Sequence, residues 1–205
     1  MGKKHVTDVE GAYQGCVEIA ESIECGWLRK KALDLLGMFE KQFKTCKGSD
    51  YQHHCYMGGL IVHTYNVTVR AVDTAKYYDK EFVSLDVVKF SALFHDIGKI
   101  FDYKHSPIRC GEHSPNMGQY LFGHGVEGLS FIEGFLRKDL SAEDGITDKM
   151  ISTLIYPILN HMGDKGTKTY ECIIIADADR TDSYLNQEFA DYSDYGYHKI
   201  EEGRV

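Results

Sequence analysis

His95 and Asp96 stand side by side in Phe94-His95-Asp96-Ile97-Gly98-Lys99. An imidazole next to a carboxylate can hold a cation or move a proton. Neighbours on a helix point about 100° apart, so both reach one centre only where the helix closely faces it. A lone His-Asp pair is usually a surface or capping pair, but the context sets this one apart. Apolar residues precede it, Gly98 follows where the chain must turn, and Lys99 adds a cation suited to an anionic substrate.

The remaining candidates come one per predicted helix. His63 lies within a long apolar helix, His124 stands between two glycines, and His161 follows Pro157. In Ile174-Ile175-Ala176-Asp177-Ala178-Asp179 an apolar run turns abruptly acidic, with Asp177 and Asp179 competing for an inward role. Burying ionisable groups in apolar helices is costly unless they are paired or bind a metal. Separate helices that each present such a residue are hard to explain as solvation. His53 and His54 precede Gly58-Gly59, whose backbone N–H groups could approach a phosphate. His105 and His113 read as loop residues, and His5 and His198 as terminal surface residues.

The elements that position these residues are helical. Leu28, Ala32, Leu35, Leu36, Phe39 and Phe43 form the apolar stripe of an amphipathic helix. A shorter helix precedes it, starting after Thr7 or Asp8 and turning Cys16, Ile19, Ala20 and Ile23 inward. The next begins near Gly58–Leu60 and runs to about Tyr78, and Asp86 reads as the N-cap of the helix that ends at His95. Glycines and two prolines predict a long loop or hairpin near residues 102–123, with helical spacing resuming at Val126 and His124 opening that helix. Thr147 and Asp148 cap a helix that Pro157 should kink or end, and the last helix spans about Lys168 to Tyr184. The fold class is all-α, a helical bundle.

Composition sets the outer bounds. The chain has 205 residues, 43% hydrophobic and 26% charged, which suits one domain with a real core and excludes disorder throughout. A net charge of −8 disfavours a partner gripped mainly through phosphates, so long nucleic acid is a poor match. No apolar stretch approaches a membrane span and no leader is evident, so a cytoplasmic protein is expected, with no membrane partner. The six cysteines show no metal-finger spacing and are expected as free thiols, most of them small core residues.

Together these residues resemble the HD-domain metal-dependent phosphohydrolases, whose pattern is a His, then His-Asp, then a distant Asp on a helical bundle. His63, His95-Asp96 and Asp179 match it, and His124 and His161 match the longer pattern of two-metal members. A narrower likeness is to 3′→5′ exoribonucleases that join an OB-fold to an HD domain. His53-His54-Cys55-Tyr56-Met57-Gly58-Gly59-Leu60-Ile61-Val62-His63-Thr64, Gly118 to His124, and Ala178-Asp179-Arg180-Thr181-Asp182-Ser183 carry it. The register of Asp182-Ser183 favours Asp179 over Asp177. The resemblance covers about residues 53–184 and implies an HD domain over 51–184; the flanking sequence reads as an N-terminal helical extension over 1–50 packed on the core and a tyrosine-rich acidic tail over 185–205. Residues 1–50 read as helices, so the OB-fold of those exonucleases is missing and a short substrate fits better than long RNA.

The same resemblance implies the chemistry. Asp96 bridges two ions, with His63, His95 and Asp179 on one and His124 and His161 on the other, and a metal-activated water cleaves a phosphomonoester or phosphodiester. Such ligands suit Mn²⁺, Fe²⁺, Ni²⁺, Co²⁺ or Zn²⁺, and Mg²⁺ alone is a poor match. Asp96 and Lys99 are the expected catalytic residues; Lys99 is also an expected substrate contact, and His54 and Arg180 are expected either to touch the substrate or to support the metal ligands from behind. The expected substrate is a nucleotide, a short oligonucleotide or a nucleic-acid 3′ end. Two alternatives share the ligands: a di-iron oxygenase, and a non-enzymatic binder of a phosphorylated ligand.

Overall fold

A computed structural model describes residues 8–49, 53–102, 117–140, 145–162 and 169–186, without the side chains of residues 102 and 117–123. Nine helices order these residues: α1 (Val9–Glu21), α2 (Gly26–Met38), α3 (Glu40–Thr45), α4 (Gly59–Ala75), α5 (Leu85–Phe94), α6 (Lys99–Asp102), α7 (Met117–Arg137), α8 (Asp148–Asn160) and α9 (Tyr170–Leu185). The protein is an all-α bundle. No helix among the described residues is long and apolar enough to cross a membrane.

The centre of the bundle is α4. Of its residues only Asp73 is exposed, as in a helix enclosed by others, and it packs against α1, α3, α5 and α9. Gly58, at φ +80°, turns the chain into α4, and a Cβ there would meet Val9 at 2.6 Å. One apolar core joins Ala12 and Cys16 of α1, Leu28, Leu35 and Leu36 of α2 and Phe43 of α3 to Leu60, Phe90, Phe94, Ile132, Leu136 and Ile158. A second joins Val67 and Ala71 of α4, Val88 and Ala92 of α5, and Ile174, Ile175 and Ala178 of α9. The first three helices thus bury their faces in the same interior that surrounds the candidate residues.

Asp8 caps α1, accepting from Glu10 N at 3.0 Å, as the sequence suggests. Elsewhere the elements depart from the expected ones in instructive ways. The Leu28–Phe43 stripe is buried, but its helix breaks at Phe39 into α2 and α3. Ser84, not Asp86, caps α5. The Asp86 carboxylate instead accepts the backbone amides of Glu24 and Cys25 at 3.0 and 2.8 Å, tying the α1–α2 turn to the start of α5. Pro157 sits inside α8, which continues to Asn160.

The largest correction concerns α7, which begins at Met117, so His124 lies within the helix rather than opening it. Glycine-rich sequence has poor intrinsic helix propensity, and α7 owes its form to packing. A Cβ on Gly128 would meet Gly98 N at 3.2 Å, and one on Gly125 would meet Leu159 O at 3.3 Å. The rest of the expected loop, with His105 and His113, lies outside the described residues, as do His5, His198 and residues 187–205 of the tail.

Cys16, Cys25, Cys46 and Cys172 are free, but Cys55 is disulfide-bonded, against the expectation of six free thiols. Sequence spacing does not reveal which distant segments a fold brings side by side.

Candidate metal centre

Asp96 sits in the turn after α5 and is 3% exposed. Its two carboxylate oxygens face different ways. Oδ2 lies 3.3 Å from His63 Nε2 and 3.5 Å from His95 Nε2. Oδ1 lies 3.1 Å from His124 Nε2 and 3.6 Å from His161 Nε2. Asp179 of α9 closes the first side, with Oδ1 3.1 Å from His63 Nε2. Asp177 is exposed. All the metal-ligand candidates read from the sequence, His63, His95, Asp96, His124, His161 and Asp179, therefore meet in one place.

The histidines reach this centre for local reasons. His95 and His161 occupy the C-caps of α5 and α8, where helix carbonyls have lost their intrahelical partners. Each ring donates from Nδ1 to such a carbonyl, His95 to Ala92 O and His161 to Ile158 O, both at 2.8 Å. That bond pins the tautomer and leaves Nε2 bare toward Asp96. His63 lies inside α4, where the helix uses the carbonyls, and its Nδ1 bonds to Asp182 Oδ2 at 2.7 Å.

The buried Nε2 atoms of His124 and His161 make no hydrogen bond. His63 Nε2 and His95 Nε2 face each other at 3.2 Å. Bare imidazole nitrogens converging with carboxylate oxygens in a dry interior are costly by themselves and become favourable around a cation. Donor atoms of His63, His95 and Asp179, and those of His95, Asp96 and His161, lie within 4.8 Å of one another, close enough for each group to hold a metal ion.

The electrostatics agree. Burial pushes His95 down to about 4, so it is a neutral donor at pH 7. Burial alone would lower His63, but the Asp179, Asp182 and Asp96 carboxylates override it and hold the ring well above its ordinary value. Without a metal, a proton on His63 supplies some of the positive charge those acids require. Asp96 stays ionised despite its burial, through Lys99 and the surrounding histidines. Lys99 Nζ lies 2.5 Å from Asp96 Oδ2 and 2.6 Å from Gly48 O.

Asp179, His124 and Lys99 are the members with appreciable side-chain exposure, at 17, 12 and 12%. The centre therefore opens to solvent past these three.

The expected substrate contacts divide. Lys99 is at the opening, and Arg180 is exposed on α9. His54 is buried behind His63, with Nε2 2.8 Å from Asp182 Oδ2 and Nδ1 3.1 Å from Tyr56 Oη. Both its ring nitrogens are engaged within the protein. The amides after the Gly58-Gly59 turn are engaged too, Gly59 N to Tyr56 O and Leu60 N to Cys46 O, at 2.9 and 3.1 Å. They cannot cradle a phosphate. The residue whose role the sequence reading missed is Asp182. Its signal was its place one helical turn after Asp179, on the same face of α9.

The HD domain family matches residues 60–184, more than half of the chain. The chain belongs to the HD-domain family. Among curated proteins, the dihydroneopterin 2′,3′-cyclic phosphate phosphodiesterase of Methanocaldococcus jannaschii is 32% identical over 100 residues, covering 42% of this HD-domain chain and 40% of that relative. The match thus spans less than half the length of the relative. No solved structure matches the chain significantly.

Proposed function

We propose that this HD-domain protein is a metal-dependent phosphohydrolase with a two-ion centre. It cleaves phosphomonoester or phosphodiester bonds of nucleotides, short oligonucleotides or nucleic-acid 3′ ends. The observation that carries this reading is the division of Asp96, with Oδ2 toward His63 and His95 and Oδ1 toward His124 and His161. A carboxylate turned this way can join two adjacent donor groups. Divalent cations, if held there by these residues, would supply Lewis-acid polarisation of phosphoryl oxygens and a water nucleophile at neutral pH, the chemistry that phosphate-ester hydrolysis requires.

The chain's own residues do the rest. His63, His95 and Asp179 form one donor group, and His124 and His161 the other. Lys99, at the opening, neutralises a phosphoryl oxygen once a ligand draws it from Asp96 and Gly48. Arg180, exposed one residue after Asp179, meets the substrate outside the centre. The imidazole-rich set favours Mn²⁺, Fe²⁺, Ni²⁺, Co²⁺ or Zn²⁺ over Mg²⁺. The net charge of −8 and the cyclic phosphate named for the curated relative both support a small substrate.

The test is to strip the protein of metal and reload it with each ion in turn. It is then offered nucleoside monophosphates, 2′,3′-cyclic phosphates and short oligonucleotides. Release of phosphate or opening of the phosphodiester with at least one transition ion, equally under air and under argon, is the expected result. No hydrolysis with any ion, or turnover that depends on dioxygen, would overturn the reading.

A further inference from the structure

His95 and His161 take their orientation from orphan carbonyls at helix ends, a device closed to His63 in the middle of α4. Its Nδ1 bonds instead to Asp182 of α9, at 2.7 Å. Asp182 is 1% exposed and held from several sides. Oδ2 also receives His54 Nε2 at 2.8 Å, and Oδ1 receives Asn186 Nδ2 at 2.9 Å. His54 Nε2 faces a carboxylate and therefore carries a proton, and its Nδ1 is hydrogen-bonded with Tyr56 Oη at 3.1 Å. Alongside, His53 Nε2 lies 3.2 Å from Ser183 Oγ, which is itself 3.4 Å from Asp179 Oδ1.

We propose that Asp182 is the positioning residue of the metal centre: it fixes the proton of His63 on Nδ1, so that Nε2 stays bare toward Asp96 and Asp179. His54, Tyr56 and Asn186 form the scaffold that holds Asp182 in that role. This rests on the metal-site reading proposed above.

The donor atoms of His54, His63 and Asp182 are close enough to hold an ion of their own. Their geometry argues for hydrogen bonds instead. Two ring nitrogens reach the same carboxylate oxygen at 2.7 and 2.8 Å, the spacing of charge-assisted N–H···O bonds. Ligands around a shared ion stand off from one another rather than touching. Burial would raise the Asp182 carboxyl, but the bonds from His54 and His63 outweigh it and keep the group ionised, which suits an acceptor.

In Asp182→Asn the amide must satisfy both neighbours with one oxygen and one NH₂ group. Asn186 already offers an N–H, so the new NH₂ group turns toward His63 and His54. His63 must then accept at Nδ1, and its proton moves to Nε2, against the metal.

Four measurements test this. Co²⁺ and Zn²⁺ affinities are measured by chelator competition for the wild type, Asp182→Asn and His54→Gln, together with the Co²⁺ absorption spectrum and the Tm of each metal-free protein. Asp182→Asn is expected to lose about 10- to 100-fold in affinity, with an altered Co²⁺ spectrum and a small change in Tm. His54→Gln, which spares the Asp182–His63 bond, should lose less. In addition, ¹⁵N-histidine NMR of the Zn²⁺-loaded wild type should show His63 protonated on Nδ1 and bound through Nε2, a result that needs no variant to fold. Metal affinity and spectrum unchanged in Asp182→Asn, or a His63 bound through Nδ1, would overturn the assignment while leaving the metal site intact. Extra ion stoichiometry that His54→Gln abolishes would overturn it in favour of a separate cation site. A wild type that binds neither ion would overturn the metal-site reading, and this assignment with it.

Discussion

The carbonyl oxygen of His124 lies 1.9 Å from where a Cβ on Gly98 would stand. The turn that carries His95 and Asp96 is thereby pressed directly onto the helix that carries His124. Gly98 is required by this approach, and its φ is not in the left-handed region.

Gly98→Ala should force α7 away from the His95–Gly98 turn. Overpacking of this kind costs about 1–3 kcal/mol, or a Tm lower by roughly 2–10 °C. Metal affinity should fall further than stability does, because His124 moves with its backbone. Gly37→Ala is the control: nothing stands within 4 Å of a Cβ there, so its melting temperature should hold or rise. Thermal melts and metal titration of both variants decide the matter, and a Gly98→Ala protein matching wild type in both would refute it.

Asp96 and Lys99 should separate binding from turnover. Asp96→Asn replaces one of the two carboxylate oxygens, each of which faces a different donor group, with an NH₂ that cannot ligate. Hydrolysis should drop by several kcal/mol of barrier, on the order of a thousandfold, together with metal affinity. Lys99→Met removes the cation beside Asp96 and should leave metal affinity unchanged or higher. Its kcat/KM should nevertheless fall about a hundredfold, because a donor to the phosphoryl group is gone. Parallel loss of metal in Lys99→Met would count against its assigned role.

His53 should leave a trace in the pH dependence of the metal-free protein. Burial, helped by the nearby charges of His63, Lys99 and His54, lowers it from 6.5 to about 4. Between those values the unfolded chain binds a proton that the folded protein refuses, so stability is lost as pH falls through this window. His95 contributes in the same direction, and His63, whose value is raised, in the opposite one. The difference between wild type and His53→Gln isolates the effect. The drop in Tm from pH 7 to pH 5 should be smaller in the variant, and equal drops would contradict the argument.

Residues 51–186 expressed alone should fail to fold as a cooperative unit. Without α1 to α3, the first core loses Cys16, Leu28, Leu35 and Phe43 and bares Leu60, Phe90 and Phe94. Asp86 also loses the amides of Glu24 and Cys25. The truncated chain should lack a sharp thermal transition by circular dichroism; a sharp one would make residues 1–50 a dispensable appendage.

Much of the protein was legible in the chain itself. The stripe from Leu28 to Phe43, the caps at Asp8 and Thr147, and the apolar run into His95-Asp96 follow from local periodicity and capping chemistry. Local physics acts within a few residues, and these features live there. It also marked His63, His124, His161 and Asp179 as ionisable groups set in apolar helices, where burial needs a partner. What it could not decide was anything dependent on another element. That α7 starts at Met117 is not contained in the propensity of its glycine-rich sequence, and the close approaches of Gly125 to Leu159 and of Gly128 to Gly98 are set by other elements. Gly58-Gly59 looks like a phosphate cradle, and His54 like either a substrate contact or a support for the ligands, until Asp182, Tyr56 and Cys46 are seen to occupy them. Asp182 looks like a mere companion of Asp179 until α9 lies against α4 and gives His63 the acceptor that its own helix denies it. Hydrogen-bond partners far apart in the chain are chosen by packing, and only the tertiary structure specifies them.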